Sequence, residues 1–246
     1  MYYFSYLLGS FYIIRSIFRF SDYASNSLVE NGWIDMPVSR IEKLDECIYS
    51  SLHAVLTTLL SSLSLTSPIF LNPYHPFDLT LYDKPVNNQM QLFTTCFSLS
   101  YFVLDLCKCM YHKKYVFILH HLASIHLLTN GLQSFGEDNH HGFYIMNMLF
   151  LLESNTVLLN VGYILKECKF HYSITCLSWV VHLMLFIIFR LITVPKLILV
   201  YYMYEGITMR TLLELPSFVF ILGGSMYWSY RQILGIQKYL KESSVL

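Results

Sequence analysis

An all-α, polytopic membrane bundle of about seven (six to seven) transmembrane helices is the fold class this sequence predicts, on three observations. Only 13% of its residues are charged and 55% are hydrophobic, where a soluble domain carries about 25% charged residues. Apolar runs long enough to cross a bilayer recur along the chain. Between them lie short breaks of turn residues or charge. Mean hydropathy is +0.47. Acidic and basic residues balance at 16 each, so nothing in the net charge points to a nucleic-acid partner.

The spans fall at 2–19, 48–70, 91–111, 115–133, 143–165, 172–194 and 211–233. The first, MYYFSYLLGSFYIIRSIFRF, lacks a basic leading segment and a small-residue cleavage site, and its Arg15 and Arg19 come at the far end, so it reads as a helix rather than a signal peptide. The breaks are SPIFLNPYHPFDLTLYDKPVNN, HKK, NGLQSFGEDNHHG, KECKF and VPK. An aromatic stretch, LILVYYMYEG, precedes the last span and is expected at the membrane interface. Residues 1–39 are assigned to the first helix and a linker, 40–240 to the main domain and 241–246 to a tail.

The basic residues orient the bundle. Arg19, Arg40, Lys43, Lys113, Lys114, Lys166, Lys169, Arg231, Lys238 and Lys241 collect on one side, and only Lys84, Lys196 and Arg210 on the other. That asymmetry predicts the first side to be cytosolic, with the N-terminus lumenal and the C-terminus cytosolic.

Ionisable groups inside such spans are costly and mark function by default. With a rise of 1.5 Å per residue, His53, Asp105, His120, His121 and Asn160 all lie roughly 8–9 Å in from the cytosolic end of four different helices. His126, Glu153 and His182 lie deeper, at about 15–18 Å, and Arg190 about 27 Å along its helix, near the lumenal interface, where snorkelling to the headgroups is its duller reading. Only HKK joins the third and fourth spans, so they must be antiparallel neighbours and Asp105 should reach His120 or His121. A carboxylate beside imidazole fixes its tautomer, as a general-base or nucleophilic histidine requires. Glu153, Thr156 and Asn160 share one helix face, whereas His126 is swung away from the histidine pair. The duller reading of each residue is interhelical hydrogen bonding worth about 1 kcal/mol. Coincidence in depth across four helices favours a shared polar cavity. His75, His112, His140, His141 and His171 are expected to be solvated in loops, and Tyr227, Trp228 and Tyr230 to form an interfacial belt. Cys107 and Cys109, two apart, point to opposite sides of a helix, so neither a disulfide nor a metal site is expected, and the six cysteines read as space-filling thiols.

The motifs SSLHAVLTTLL, SYFVLDL, ILHHLASI, LLESNTVLLN, LFIIFRLITVP and MYWSYRQILGIQKYLK, in that order, resemble those of the TLC domain. That domain is shared by translocating-chain-associating membrane proteins, Lag-type ceramide synthases and smaller lipid-related membrane proteins. The resemblance implies an endoplasmic reticulum or other endomembrane protein concerned with lipid homeostasis, its helices surrounding a place for an acyl chain. It implies roles for His120 and His121 in acyl transfer from acyl-CoA, and it matches Asp105 and Glu153 to acidic positions of the wider family. The stretch YIMNMLFLLE lacks the two aspartates that ceramide synthases carry before the glutamate, and Val157 and Gly162 stand where proline and arginine are usual. These departures argue against ceramide synthesis.

Three functions remain open. The first is a lipid-handling protein without chemistry of its own, lined by His53, His126, Glu153, Thr156, Asn160, His182 and Arg190. The second is an acyltransferase using His120, His121 and Asp105, with acyl-CoA as substrate. The third is a proton or ion pathway. Membrane lipids, an acyl chain or a sphingolipid among them, are the expected partners; no resident cofactor is expected.

Overall fold

The structure, a computed structural model, describes residues 2–34, 40–64, 88–133, 146, 149–150 and 153–243. The described elements are helical: α1 (Tyr2–Glu30), α2 (Ile41–Ser64), α3 (Asn88–Tyr111), α4 (Tyr115–Gln133), α5 (Ser154–Glu167), α6 (Tyr172–Phe186), a π-helical segment (Ile187–Thr193), α7 (Val194–Glu205) and α8 (Met209–Ser243). Three stretches among them, Ile41–Ser64, Gln89–Tyr111 and Tyr172–Met203, are long and apolar enough to cross a membrane. Helices suit that setting because they satisfy every backbone group internally. The breaks around His75 and around His140 and His141 lie outside the described residues.

The order of neighbours closes a ring. α2 packs on α5, α5 on α6, α6 on α8, α8 on α4, α4 on α3, and α3 back on α2, while α1 lies outside against α2 and α3. Burial is inverted relative to a water-soluble protein. Thr57, Ser61, Ser64, Gln91, Thr94 and Ser98 are wholly inaccessible, whereas Leu59, Leu63, Leu177, Leu213 and Phe220 stand out from the surface. Small hydroxyl residues at helix contacts and apolar residues facing outward are how helices associate in lipid. The largest apolar cluster, including Ile14, Tyr49, Phe97, Tyr101 and Phe102, joins α1 to α2 and α3.

The HKK turn does what its length requires. Lys113 takes a left-handed φ of 56°, the Lys114 amide returns to the Cys109 carbonyl, and α3 and α4 leave it antiparallel. Ion pairs fasten this end of the bundle: Lys108 Nζ lies 2.7 Å from Asp45 Oδ2, His112 Nε2 2.8 Å from Glu42 Oε1, and Lys114 pairs with Glu46. Partial burial opposes the charge on Lys114, but the Glu46 carboxylate outweighs it and holds the ammonium pKa above the ordinary lysine value. His112 is therefore tied to α2 rather than free in solvent, and His171 caps α6, its Nδ1 accepting from the Ser173 amide.

Two elements depart from the sequence reading. α1 runs on past Arg19 to Glu30. The VPK break does not interrupt the sixth helix: the chain passes through the π-helical segment into α7, with the Val194 amide bonded to the Phe189 carbonyl five residues back. A proline inside an α-helix removes a donor and collides with the carbonyl four residues earlier. The wider turn before Pro195 lets the helical path continue. LILVYYMY accordingly belongs to α7, continuous with the helix before it, and its Leu197, Val200 and Tyr201 are buried against Phe218 of α8.

Candidate functional site

The hydroxyl-lined α2 turns its buried face, Tyr49, His53 and Thr57, toward α3. Residues four apart share a helix face, so Tyr49 and His53 arrive together. Tyr49 donates its hydroxyl to Asp105 Oδ1 at 2.6 Å. Lys108 Nζ sits 4.5 Å from the centre of the Tyr49 ring, a cation–π contact that steadies the ring from the turn side. His53 stacks on Tyr101 with centroids 3.7 Å apart and planes within 6°, and its Nε2 meets the Thr57 hydroxyl at 3.1 Å.

Across the hairpin, His121 Nε2 lies 2.7 Å from Asp105 Oδ2. The carboxylate oxygen stands off the axis of a ring N–H, and Nδ1 of His121, like Nδ1 of His120, is buried without a hydrogen-bond partner. Asp105 thus carries two partners from two helices while the paired imidazoles carry almost none. His120 meets the edge of Trp228 at 5.1 Å. The Trp228 ring thus lies against His120, while Tyr227 and Tyr230 are exposed.

Glu153, at the head of α5, ends its travel on Arg190: the guanidinium Nη2 donates to Oε1 at 2.5 Å, and Thr156 donates to Oε2 at 3.3 Å. Arg190 lies inside the π-helical segment, a feature that often marks functional positions. The Glu153 carboxylate holds its guanidinium, and the two side chains are only 14% and 18% exposed. Glu153 lies within electrostatic reach of His53 and His120 as well. Asn160 shares the α5 face but turns to α2, donating to Ser50 and Ser51 at 2.7 and 3.0 Å.

The remaining two sequence-nominated histidines are held elsewhere. His126 Nδ1 lies 2.8 Å from the Ser217 hydroxyl of α8 and its Nε2 3.3 Å from Asn130, which also donates to Glu214. Asn130 gives its amide to the carboxylate, so it donates to His126 as well, leaving the ring proton on Nδ1 to bind Ser217. That tautomer cannot draw a proton from the hydroxyl. His182 is bound to Gln232, Nδ1 to Nε2 at 2.5 Å.

Tyr49 and Tyr101 were not singled out by the sequence, and Trp228 and Cys109 were not assigned to this site. Tyr49 four residues before His53, and Cys109 four after Asp105, were legible as same-face neighbours. Nothing in the linear pattern brings Trp228 to His120. An open groove of about 500 Å³ along α1, lined by Tyr12, Ile13, Ser16, Ile17, Phe20 and Leu52, contains none of these groups.

The TLC-domain family profile matches residues 43–234. The chain belongs to the TLC-domain family. The match runs from the start of α2 into α8 and so takes in the whole ring. With spans of this length and composition, this TLC-domain chain is an integral membrane protein, in a family associated with membrane lipids. No curated protein and no solved structure matches it.

Proposed function

We propose that this TLC-domain protein binds a membrane lipid by its acyl chain inside the helix ring and contributes to lipid homeostasis in the endoplasmic reticulum or a related endomembrane. Within the family it groups with the TLC domain-containing protein 4 type. The N-terminus faces the lumen and the turn between α3 and α4 faces the cytosol. The observation that carries the reading is the gathering of Asp105, His120, His121 and the Glu153–Arg190 pair on the inner side of a closed ring with an apolar exterior. A polar core of that kind inside hydrocarbon gives a headgroup somewhere to bind, and the apolar surroundings receive the chain.

Gentle purification followed by lipid mass spectrometry tests it. A defined lipid class retained at about one molecule per chain, and raising the thermal midpoint when added back, is the expected result. Protein that carries no lipid above the bulk detergent–lipid background rules it out.

A second reading has its own support. Asp105 Oδ2 lies 2.7 Å from His121 Nε2, near enough that a small rotation of the ring would let the carboxylate orient the imidazole for base or acyl-carrier chemistry. Purified protein incubated with labelled acyl-CoA and amine or alcohol acceptors should then show label on His120 or His121, or acylated product. Absence of both leaves the lipid-binding reading alone.

A further inference from the structure

The side of Asp105 away from Tyr49 holds a third group that neither reading uses. Asp105 and Cys109 sit four residues apart on one face of α3, and the three-residue turn sets His121 of α4 opposite them. One ligand atom from each lies within 4.8 Å of the other two. All three residues are buried, with 7%, 5% and 4% of their surface exposed.

We propose that Asp105, Cys109 and His121 bind a zinc ion. Thiolate, imidazole and carboxylate together suit zinc; magnesium and calcium would take oxygen ligands alone. Ligand atoms around a tetrahedral zinc stand about 3.3–3.8 Å apart, so the 2.7 Å contact between His121 and Asp105 has to widen by about 0.6 Å, while atoms as much as 4.8 Å apart close by about 1 Å. The off-axis contact between His121 and Asp105 fits two groups directed at a common point better than it fits a hydrogen-bonded pair. Tyr49, on the other carboxylate oxygen, supplies the hydrogen bond that a ligating carboxylate normally receives from its surroundings. On binding, the Cys109 thiol gives up its proton to solvent and the thiolate sulfur bonds the metal. Three protein ligands leave one coordination position open, the pattern of reactive rather than purely structural zinc. Cys107, exposed on the other side of α3, takes no part, which is why the Cys-x-Cys spacing gave no hint of the site. His120 remains the free imidazole of the pair.

The test uses tag-free, full-length protein in mild detergent, equilibrated with zinc sulfate, desalted and analysed for metal. About one zinc per chain is expected in the wild type and in Cys107→Ala, with retention at least about tenfold lower in Cys109→Ala and His121→Ala. Zinc-edge X-ray absorption of the wild type needs no variant and should show one sulfur at about 2.3 Å beside nitrogen and oxygen at about 2.0–2.2 Å. Wild type that holds no zinc, a sulfur-free shell, or Cys109→Ala loading as fully as wild type would each overturn the proposal. Lipid retention is measured separately, so zinc-free protein that still carries its lipid sinks this inference and leaves the lipid reading standing.

Discussion

His121 and His126 are five residues apart on α4 and stand in unlike surroundings. At the outer position, toward the three-residue turn, the imidazoles of His120 and His121 keep ring nitrogens with no hydrogen-bond partner. At the inner one, both nitrogens of His126 are engaged, and its partners are engaged in turn: Asn130 by Glu214 and by Arg210, whose guanidinium reaches the Asn130 carbonyl at 2.9 Å. A buried polar network that is complete rigidifies its helices; one left incomplete costs free energy unless something else completes it. The inner network joins α4 to α8. The outer cluster is open to a ligand. The same residue type on one helix thus serves opposite ends, and the difference lies in what the neighbouring helices bring.

Substitutions in and around the two networks separate these roles. The Glu153–Arg190 pair should be the most sensitive: Glu153→Ala leaves a guanidinium stranded among helices and should lower stability by about 3–5 kcal/mol, read as a fall in thermal midpoint in detergent. Replacing both partners by methionine should recover much of that loss, whereas an unrecovered loss would mean that Glu153 holds more than Arg190. His126→Leu should cost about 1–3 kcal/mol, because it strands the Ser217 hydroxyl and takes one partner from the Asn130 amide, which keeps Glu214; Ser217→Ala added to it should cost little more, since the two share one interaction. Tyr49→Phe should cost about 1–3 kcal/mol by removing the hydrogen bond to the Asp105 carboxylate. The smallest effect is expected for His120→Leu, which keeps volume and removes an unsatisfied nitrogen: a change within about 0.5 kcal/mol, or a slight gain. If His120→Leu and His126→Leu proved equally costly, the contrast between the two settings would be false.

Much of the outer cluster was legible in the sequence. HKK is too short to let α3 and α4 do anything but lie side by side, and that alone brings Asp105 to His121. Other parts were hidden for identifiable reasons. Apolar periodicity does not register a change from four- to five-residue hydrogen bonding, so the π-helical segment was unseen, and nothing in the linear pattern paired Arg190 with Glu153. VPK looked like a boundary because proline ordinarily ends a helix; the widened turn removes the collision that would have ended it. Trp228 carried only the signature of an interfacial aromatic; its contact with His120 follows from the packing of α8 against α4. His126 and His182 were gathered into one polar lining by depth alone, while Ser217 and Gln232, each from α8, hold them separately.

On the proposed function the open cluster, and not the closed network, receives the ligand. Lipid mass spectrometry on matched preparations of wild type, Asp105→Asn and Ser217→Ala tests it most directly. Loss of the retained lipid in Asp105→Asn, with the wild-type complement kept in Ser217→Ala, is the predicted result. An unchanged complement in Asp105→Asn, or the reverse pattern, would contradict it.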